Sequence, residues 1–171
     1  EVIAQMERHF QRVVVLTQNV DGFHADAGSN NVIDIHGDYH RLRCSQCGHS
    51  ERVEAYRTLA EIPPPCRECG HHLRPDVVFF GEMLPQEKYE KLVRELQRGF
   101  DVVFSVGTTS VFPYIVMPVA NALSSGIPAV EINPGHTEVS DYVDVKIAAG
   151  AAEALDEIWR GFIESTGQEE S

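Results

Sequence analysis

DVVFSVGTTSVFPYIVMPVANALSSGIPAVEIN, residues 101–133, decides the fold. Two β-branched apolar runs, 101–106 and 128–132, flank a helix-forming stretch at 113–125 that opens with Pro113 at its first position. Strand alternating with helix is the pattern of a parallel sheet with helices on its faces. Moving upstream, residues 86–98 put Tyr89, Leu92, Val93 and Leu96 at helical spacing, and Gly99 follows as a cap. RVVVL at 12–16 is another buried strand, and residues 2–10 are the end of a helix. Downstream, a helix over 151–163 aligns Ala151, Leu155, Ile158, Trp159 and Phe162, and a polar tail occupies 166–171.

The 171 residues suffice for one ordinary domain with a small insert. With 43% hydrophobic and 23% charged residues, the composition is that of a folded chain, which excludes general disorder. No apolar run reaches the roughly 18 to 20 residues that a membrane span needs. The formal charge is −12, and the 14 basic residues are scattered, so nucleic acid is not expected as a ligand. A basic partner such as a lysine-bearing peptide would be attracted.

The alternation stops between residues 39 and 74. Here Cys44-x2-Cys47 and Cys66-x2-Cys69 fall as two tight pairs, each followed by a glycine, Gly48 and Gly70. Neighbours two apart make strained disulfide loops but good metal knuckles. Four thiolates close a tetrahedron around Zn(II) and leave no position for water, so the reading is a structural zinc; a redox dithiol pair or free thiols are the alternatives. A module of this size has too little core to fold without the metal. His40, His49, His71 and His72 are expected at the surface, because four sulfurs saturate the site.

Three polar loops follow predicted strands, at the ends where ligands gather in parallel sheets. TQNVDGFHADAG, 17–28, offers Gln18, Asn19 and Asp21; it could also be an ordinary turn. IDIHG, 33–37, ends an alternating strand in His36, a general base if it faces a cleft and a structural histidine otherwise. Gly107, Thr108, Thr109 and Ser110 offer amides and hydroxyls to a phosphate or ribose, and Asn133 follows the next strand, where it too could be part of a turn. The chain has no G-x-G-x-x-G fingerprint, so hydride transfer has no support.

In order, TQNVDGFHADAG, IHG, CSQC, CREC, VVFFGE, VGTTS and EIN resemble the sirtuin family of NAD-dependent protein-lysine deacylases, with the bacterial members most similar. The resemblance implies an α/β, Rossmann-like parallel sheet with helices on both faces, formed by residues 1–38 and 75–165, plus a small zinc-ribbon domain at 39–74. It makes His36 the general base toward the ribose hydroxyls. It gives Asn19 and Asp21 the nicotinamide pocket, with Asp21 and the backbone of Val20 on the carboxamide, and Gln18 the nicotinamide ribose. Gly107, Thr108 and Thr109 align with the family's Gly-Thr-Ser at ribose or phosphate, with Thr109 in place of the serine and its hydroxyl kept, Asn133 with the adenosine ribose, and Ala151 with the adenine. Residues 77–82, VVFFGE, resemble the strand that receives the peptide, with Val78 and Phe80 walling the acyl-lysine tunnel and Gly81 and Glu82 beside them. A simple buried strand is the other reading of that run.

The implied chemistry is displacement of nicotinamide by the acyl oxygen, followed by transfer of the acyl group to ADP-ribose, with NAD consumed and zinc outside the reaction. The family's Gly-Ala-Gly-x-Ser loop and Asp-Phe-Arg segment have no match before Thr17, so weak NAD binding and activity are expected of the 171 residues alone, with that missing N-terminal segment as a partner. A mono-ADP-ribosyltransferase of similar fold and a non-catalytic zinc-stabilised binding module are the alternatives. Reduced thiolates and intracellular NAD make the cytoplasm the expected compartment.

Overall fold

The computed structural model of the protein describes residues 1–167. Its contacts divide it into two compact units, essentially residues 7–92 and residues 93 onward. Two helices, α1 (Val2–His9) and α3 (Gln86–Gln97), have residues in both.

In the first unit, β1 (Val15–Thr17) pairs in parallel with β2 (Val32–Asp34), with Val15 opposite Val32 and Thr17 opposite Asp34. The four-residue helix α2 (Phe23–Asp26) lies in the connection. A separate antiparallel sheet places β3 (Gly37–Cys44) between β4 (Ser50–Arg52) and β5 (Leu73–Val77). Its core is small: Leu42, Val53 and Leu73 are buried with the Cys44 and Cys66 side chains, and Tyr56 and Leu59 pack alongside.

The second unit has a parallel sheet in the order β6 (Val103–Val106), β7 (Ala129–Ile132), β8 (Val145–Ile147). Helix α4 (Pro113–Ser125) packs on β6 and β7, burying Val119 and Ala122 against Ala129 and Val139. Gly126, at φ 66°, ends it in the left-handed conformation that glycine adopts without strain. Helix α5 (Ala151–Thr166) follows Gly150. Among the described residues, no helix is long and apolar enough to cross a membrane.

The strand–helix–strand reading of residues 101–133 is reproduced almost to the residue. Four expectations need correction. The alternating strand read through 33–37 stops at Asp34, and Ile35 and His36 form a turn before β3. The run at 12–16 pairs only from Val15 onward. The VVFFGE segment is strand only through Val77 and then turns, for a reason given below. The last helix continues through Thr166, so residue 166 of the expected tail is helical, while residues 168–171 lie outside the described residues.

Candidate functional site

The two cysteine pairs close on one point. All four sulfurs lie within 4.8 Å of one another, with Cys44 Sγ 3.5 Å from Cys69 Sγ and Cys47 Sγ 3.6 Å from Cys66 Sγ. A tetrahedron with Zn–S bonds of about 2.3 Å requires sulfur separations near ~3.8 Å, so the set fits that ion. Each pair is a tight turn in which the following glycine donates back: Gly48 N–H to Cys44 O at 3.0 Å and Gly70 N–H to Cys66 O at 2.8 Å. Both glycines have φ above 70°, the region where a side chain is strained. The thiols conflict without a cation. Backbone amides, that of Cys47 first, draw Cys44 down to about 6. The backbone of His49 pulls Cys47 down, yet burial and the Cys44 and Cys66 sulfurs leave it raised. The amide of His71 likewise pulls Cys69 down, but burial and three sulfur neighbours push it up to about 12. A bound divalent cation lets all four ionise together.

Two of the histidines expected at the surface are partly buried and engaged. Arg67, beside the second pair, reaches Glu51 at 2.6 Å and His49 Nε2 at 3.1 Å, and so ties the two hairpins together. His40 is 3.4 Å from the Asp38 carboxylate, and its ring lies tilted against that of Tyr39, with centroids 4.0 Å apart.

The parallel pairing of β1 and β2 builds the first polar site. Thr17 opposite Asp34 brings the Gln18–Asp21 loop beside His36, and Ile35 N–H donates to Thr17 O at 3.0 Å. The His36 ring meets the backbone of Gln18; burial lowers its pKa below the ordinary histidine value, and that hydrogen bond partly offsets the effect. The loop is itself pinned. Tyr39 N–H donates to Val20 O, Asn19 N–H to the Thr17 hydroxyl, and Phe23 N–H to Asp21 Oδ1. One oxygen of Asp21 thus makes the turn that starts α2. Asn19 and Asp21 line a polar cavity of about 200 Å³ together with Thr17, Asp34, Asp38 and Arg52. Gln18, Val20 and His36 do not line it.

Gly37 explains why a glycine follows that histidine. A Cβ there would sit 2.0 Å from Asp76 O, and φ is 93°, so β5 can pair with the start of β3 only beside a glycine. Just beyond, Val78 N–H donates to His36 O at 2.8 Å. The chain then turns at Gly81, φ 87°. Val78 is half-buried, whereas Phe80 is fully exposed. Glu82 turns inward to Arg74, a partner that the sequence reading did not identify.

In the second unit, three parallel strands end at one sheet edge, each with a candidate loop. Gly107 N–H donates to Ile132 O, and Asn133 Nδ2 donates to Thr108 O at 3.0 Å, so the loops after β6 and β7 are joined. Thr109 O accepts from Glu138 N–H at 3.3 Å. Asn133 Oδ1 receives Gly135 N–H, and Ala151 is the first residue of α5, after β8. The reading offered the Ser110 hydroxyl to a ligand, which its burial corrects, and gave Glu131 no role of its own. Ser110 is buried at φ 56°, its Oγ 3.4 Å from Ser105 Oγ. Glu131, fully buried inside a strand, receives the Thr137 hydroxyl, the Ser140 hydroxyl at 2.6 Å and the Lys146 ammonium at 2.6 Å. Burial raises the Glu131 pKa, but these donors more than offset that and hold it below the usual carboxylate range. An acid in a β-branched run was the available signal.

A parallel α/β sheet with polar loops at its carboxyl edge, in a chain that also brings four thiols to one point, places the protein in the Rossmann-like class of α/β folds, with a thiol set that suits a structural metal. The Sir2 family model matches residues 1–113, and the chain belongs to that family. It is 44% identical over 160 residues to NAD-dependent protein deacylase 2 of Pseudomonas aeruginosa, covering 92% of this chain and 62% of that protein. To NAD-dependent protein deacylase of Aquifex aeolicus it is 38% identical over 160 residues, covering 93% and 66%. A crystal structure of a Sir2 homologue–NAD complex superposes with TM-score 0.87 at 37% identity, covering 96% of this chain and 63% of that one. A Sir2–p53 peptide–NAD+ structure gives TM-score 0.80 at 30% identity, covering 97% and 68%. The chain therefore spans less than two thirds of the length of these two deacylases.

Proposed function

We propose that this chain acts as an NAD-dependent protein-lysine deacylase that releases nicotinamide and acyl-ADP-ribose. The observation that carries the reading is the pairing of β1 with β2, which sets the His36 imidazole against the Gln18–Asp21 loop. When bound, NAD supplies an activated glycosidic bond with nicotinamide as leaving group and an ADP-ribose able to accept the acyl group.

His36, neutral at physiological pH because burial disfavours its cation, would take a proton from a ribose hydroxyl. The Val20 backbone and the Asp21 side chain would hold the carboxamide, Asn19 the pocket wall and Gln18 the ribose. Gly107, Thr108, Thr109 and Asn133 would take the adenosine ribose and phosphates, and Ala151 the adenine. Val78 and Phe80 would sleeve a neutral acyl-lysine, with Gly81 and Glu82 beside them. Cys44, Cys47, Cys66 and Cys69 would hold Zn(II) and brace residues 39–74 as a small lobe, with residues 1–38 and 75–165 as the nucleotide domain. The partner is an acyl-lysine protein or peptide, and unmodified basic residues flanking the neutral acyl-lysine would suit a chain of charge −12. We assign the cytoplasm, where thiolates stay reduced.

The test is nicotinamide release from NAD and an acetyl-lysine peptide, run with the chain alone and with a peptide bearing the family's glycine-rich segment. His36→Ala should lower turnover by about 10²–10⁴-fold. Mass analysis showing ADP-ribose on the acceptor in place of acyl-ADP-ribose would convert the reading to a transferase. Turnover indifferent to His36 would end it.

A further inference from the structure

Both oxygens of the Glu82 carboxylate are hydrogen-bonded within the chain. Arg74 Nη1 donates to Oε1 at 2.6 Å, Arg74 Nη2 to Oε2 at 2.9 Å, and Phe79 N–H to Oε2 at 3.0 Å. The same guanidinium donates to Val77 O at 2.8 Å and lies 4.5 Å from the centre of the Phe79 ring. Glu82 N–H donates in turn to Phe79 O at 3.0 Å. One arginine thus reads the last strand carbonyl, the ring and the acid that close a single turn. This is why the extended run stops at Val77. The turn is bidentate and planar, the arrangement an arginine fork makes and a lysine cannot.

The turn's outer face is the opposite in character. Phe80 and Met83 stand almost wholly in solvent, at 103% and 92% exposure, two large apolar side chains held there by a rigid base. At its start, Val78 N–H is bonded to His36 O, so the turn and the histidine share one backbone anchor.

We infer that Arg74 and Glu82 are positioning residues for the acyl-lysine subsite: they touch no substrate, and they fix the turn that holds Val78 and Phe80 in register with His36. The inference rests on the peptide reading above and changes one part of it, because Glu82 acts through the turn and not by contact. Both side chains are about 40% exposed, so their pairing contributes little to global stability, and its effect lies in local order.

The experiment uses the full chain and three readouts: affinity for a labelled acetyl-lysine peptide by anisotropy, the Phe79 amide proton by NMR, and the thermal midpoint. Glu82→Gln keeps the shape and removes the charge. It should weaken peptide binding about tenfold, move the Phe79 amide signal, and shift the midpoint by no more than about 2 °C. Arg74→Lys, which keeps the charge and loses the fork, should weaken binding by a smaller factor of about three. Unchanged peptide affinity in both variants, with the parent chain binding, would overturn the clamp and leave the deacylase reading standing. A fall in the midpoint of more than about 5 °C in both, with binding lost in proportion, would show a purely structural pair and also overturn it. Failure of the parent chain to bind the peptide would sink the deacylase reading, and the clamp with it.

Discussion

Around the four cysteines, the three aliphatic side chains buried with the sulfurs are Leu42, Val53 and Leu73. Around β6 and β7 there is a helix-on-sheet core of Val119, Ala122, Ala129 and Val139, with Val103, Val116, Ile127 and Val143 packed against it. The first region concentrates order in a few thiolates and two left-handed glycines; the second spreads it over apolar contact and keeps one buried ion pair for its loops. A ligand-organised lobe and a packed sheet should therefore respond to different insults.

The sharpest way to break this contrast is to remove one sulfur. Cys66→Ala leaves three ligands and deletes a side chain that is itself part of the small core. Structural zinc in isolated fingers contributes about 10–16 kcal/mol of apparent binding free energy, far more than three aliphatic side chains can replace. The expected result is loss of bound zinc and of hydrogen-exchange protection across β3, β4 and β5, with β6 and β7 still protected. A chelator should reproduce it. Retained protection in β3 to β5 after zinc loss would mean that the lobe is held by packing after all.

The second unit has its own non-apolar device, and Glu131→Ala tests it. The substitution strands Lys146, which also donates to Gly135 O at 2.7 Å and to Ser140 Oγ at 2.9 Å. Breaking a buried pair costs about 3–5 kcal/mol; Lys146 is 29% exposed and can regain water, so the low end is expected, read as a lower urea midpoint. The pH dependence follows with a definite sign. The folded-state pKa of Glu131 is depressed, so its contribution is complete above the ordinary carboxylate value and is lost as pH falls toward the folded value. The parent chain should lose stability on acidification and the variant should lose less of it.

What the sequence disclosed follows this division. The four ligands were legible because metal knuckles need close spacing and glycines, and the strand–helix–strand core was legible because its hydrophobic period is unmixed. His36 was legible from its sequence, although it lies in the turn after β2 and not on a strand, but the demand for Gly37 comes from Asp76 O, which would lie 2.0 Å from a Cβ there, a non-local fact. Arg74 and Glu82 are eight residues apart with a strand end and a turn between them, and no local pattern marks them as partners. Glu131 interrupts an apolar strand, yet its three donors arrive from residues 137, 140 and 146. Local grammar fixes elements, and the polar contacts that shape loops are made by residues the chain brings together only after folding.

The smallest expected effect isolates what burial contributes. Arg160 and Asp156 on α5 pair at 2.5 Å, as close as Lys146 and Glu131 at 2.6 Å, and the two pairs differ chiefly in solvent: both side chains of the helix pair are over 60% exposed, whereas Glu131 is fully buried. Water and salt screen the exposed pair, and holding two long side chains together costs rotamer entropy, so Arg160→Ala should change stability by no more than about 0.5 kcal/mol. Measured by the same urea titration, the two substitutions should then differ severalfold despite equal distances. If Arg160→Ala costs as much as Glu131→Ala, separation and not desolvation sets the value of these pairs. The stranded-charge account of the loops after β7 would then have to be given up.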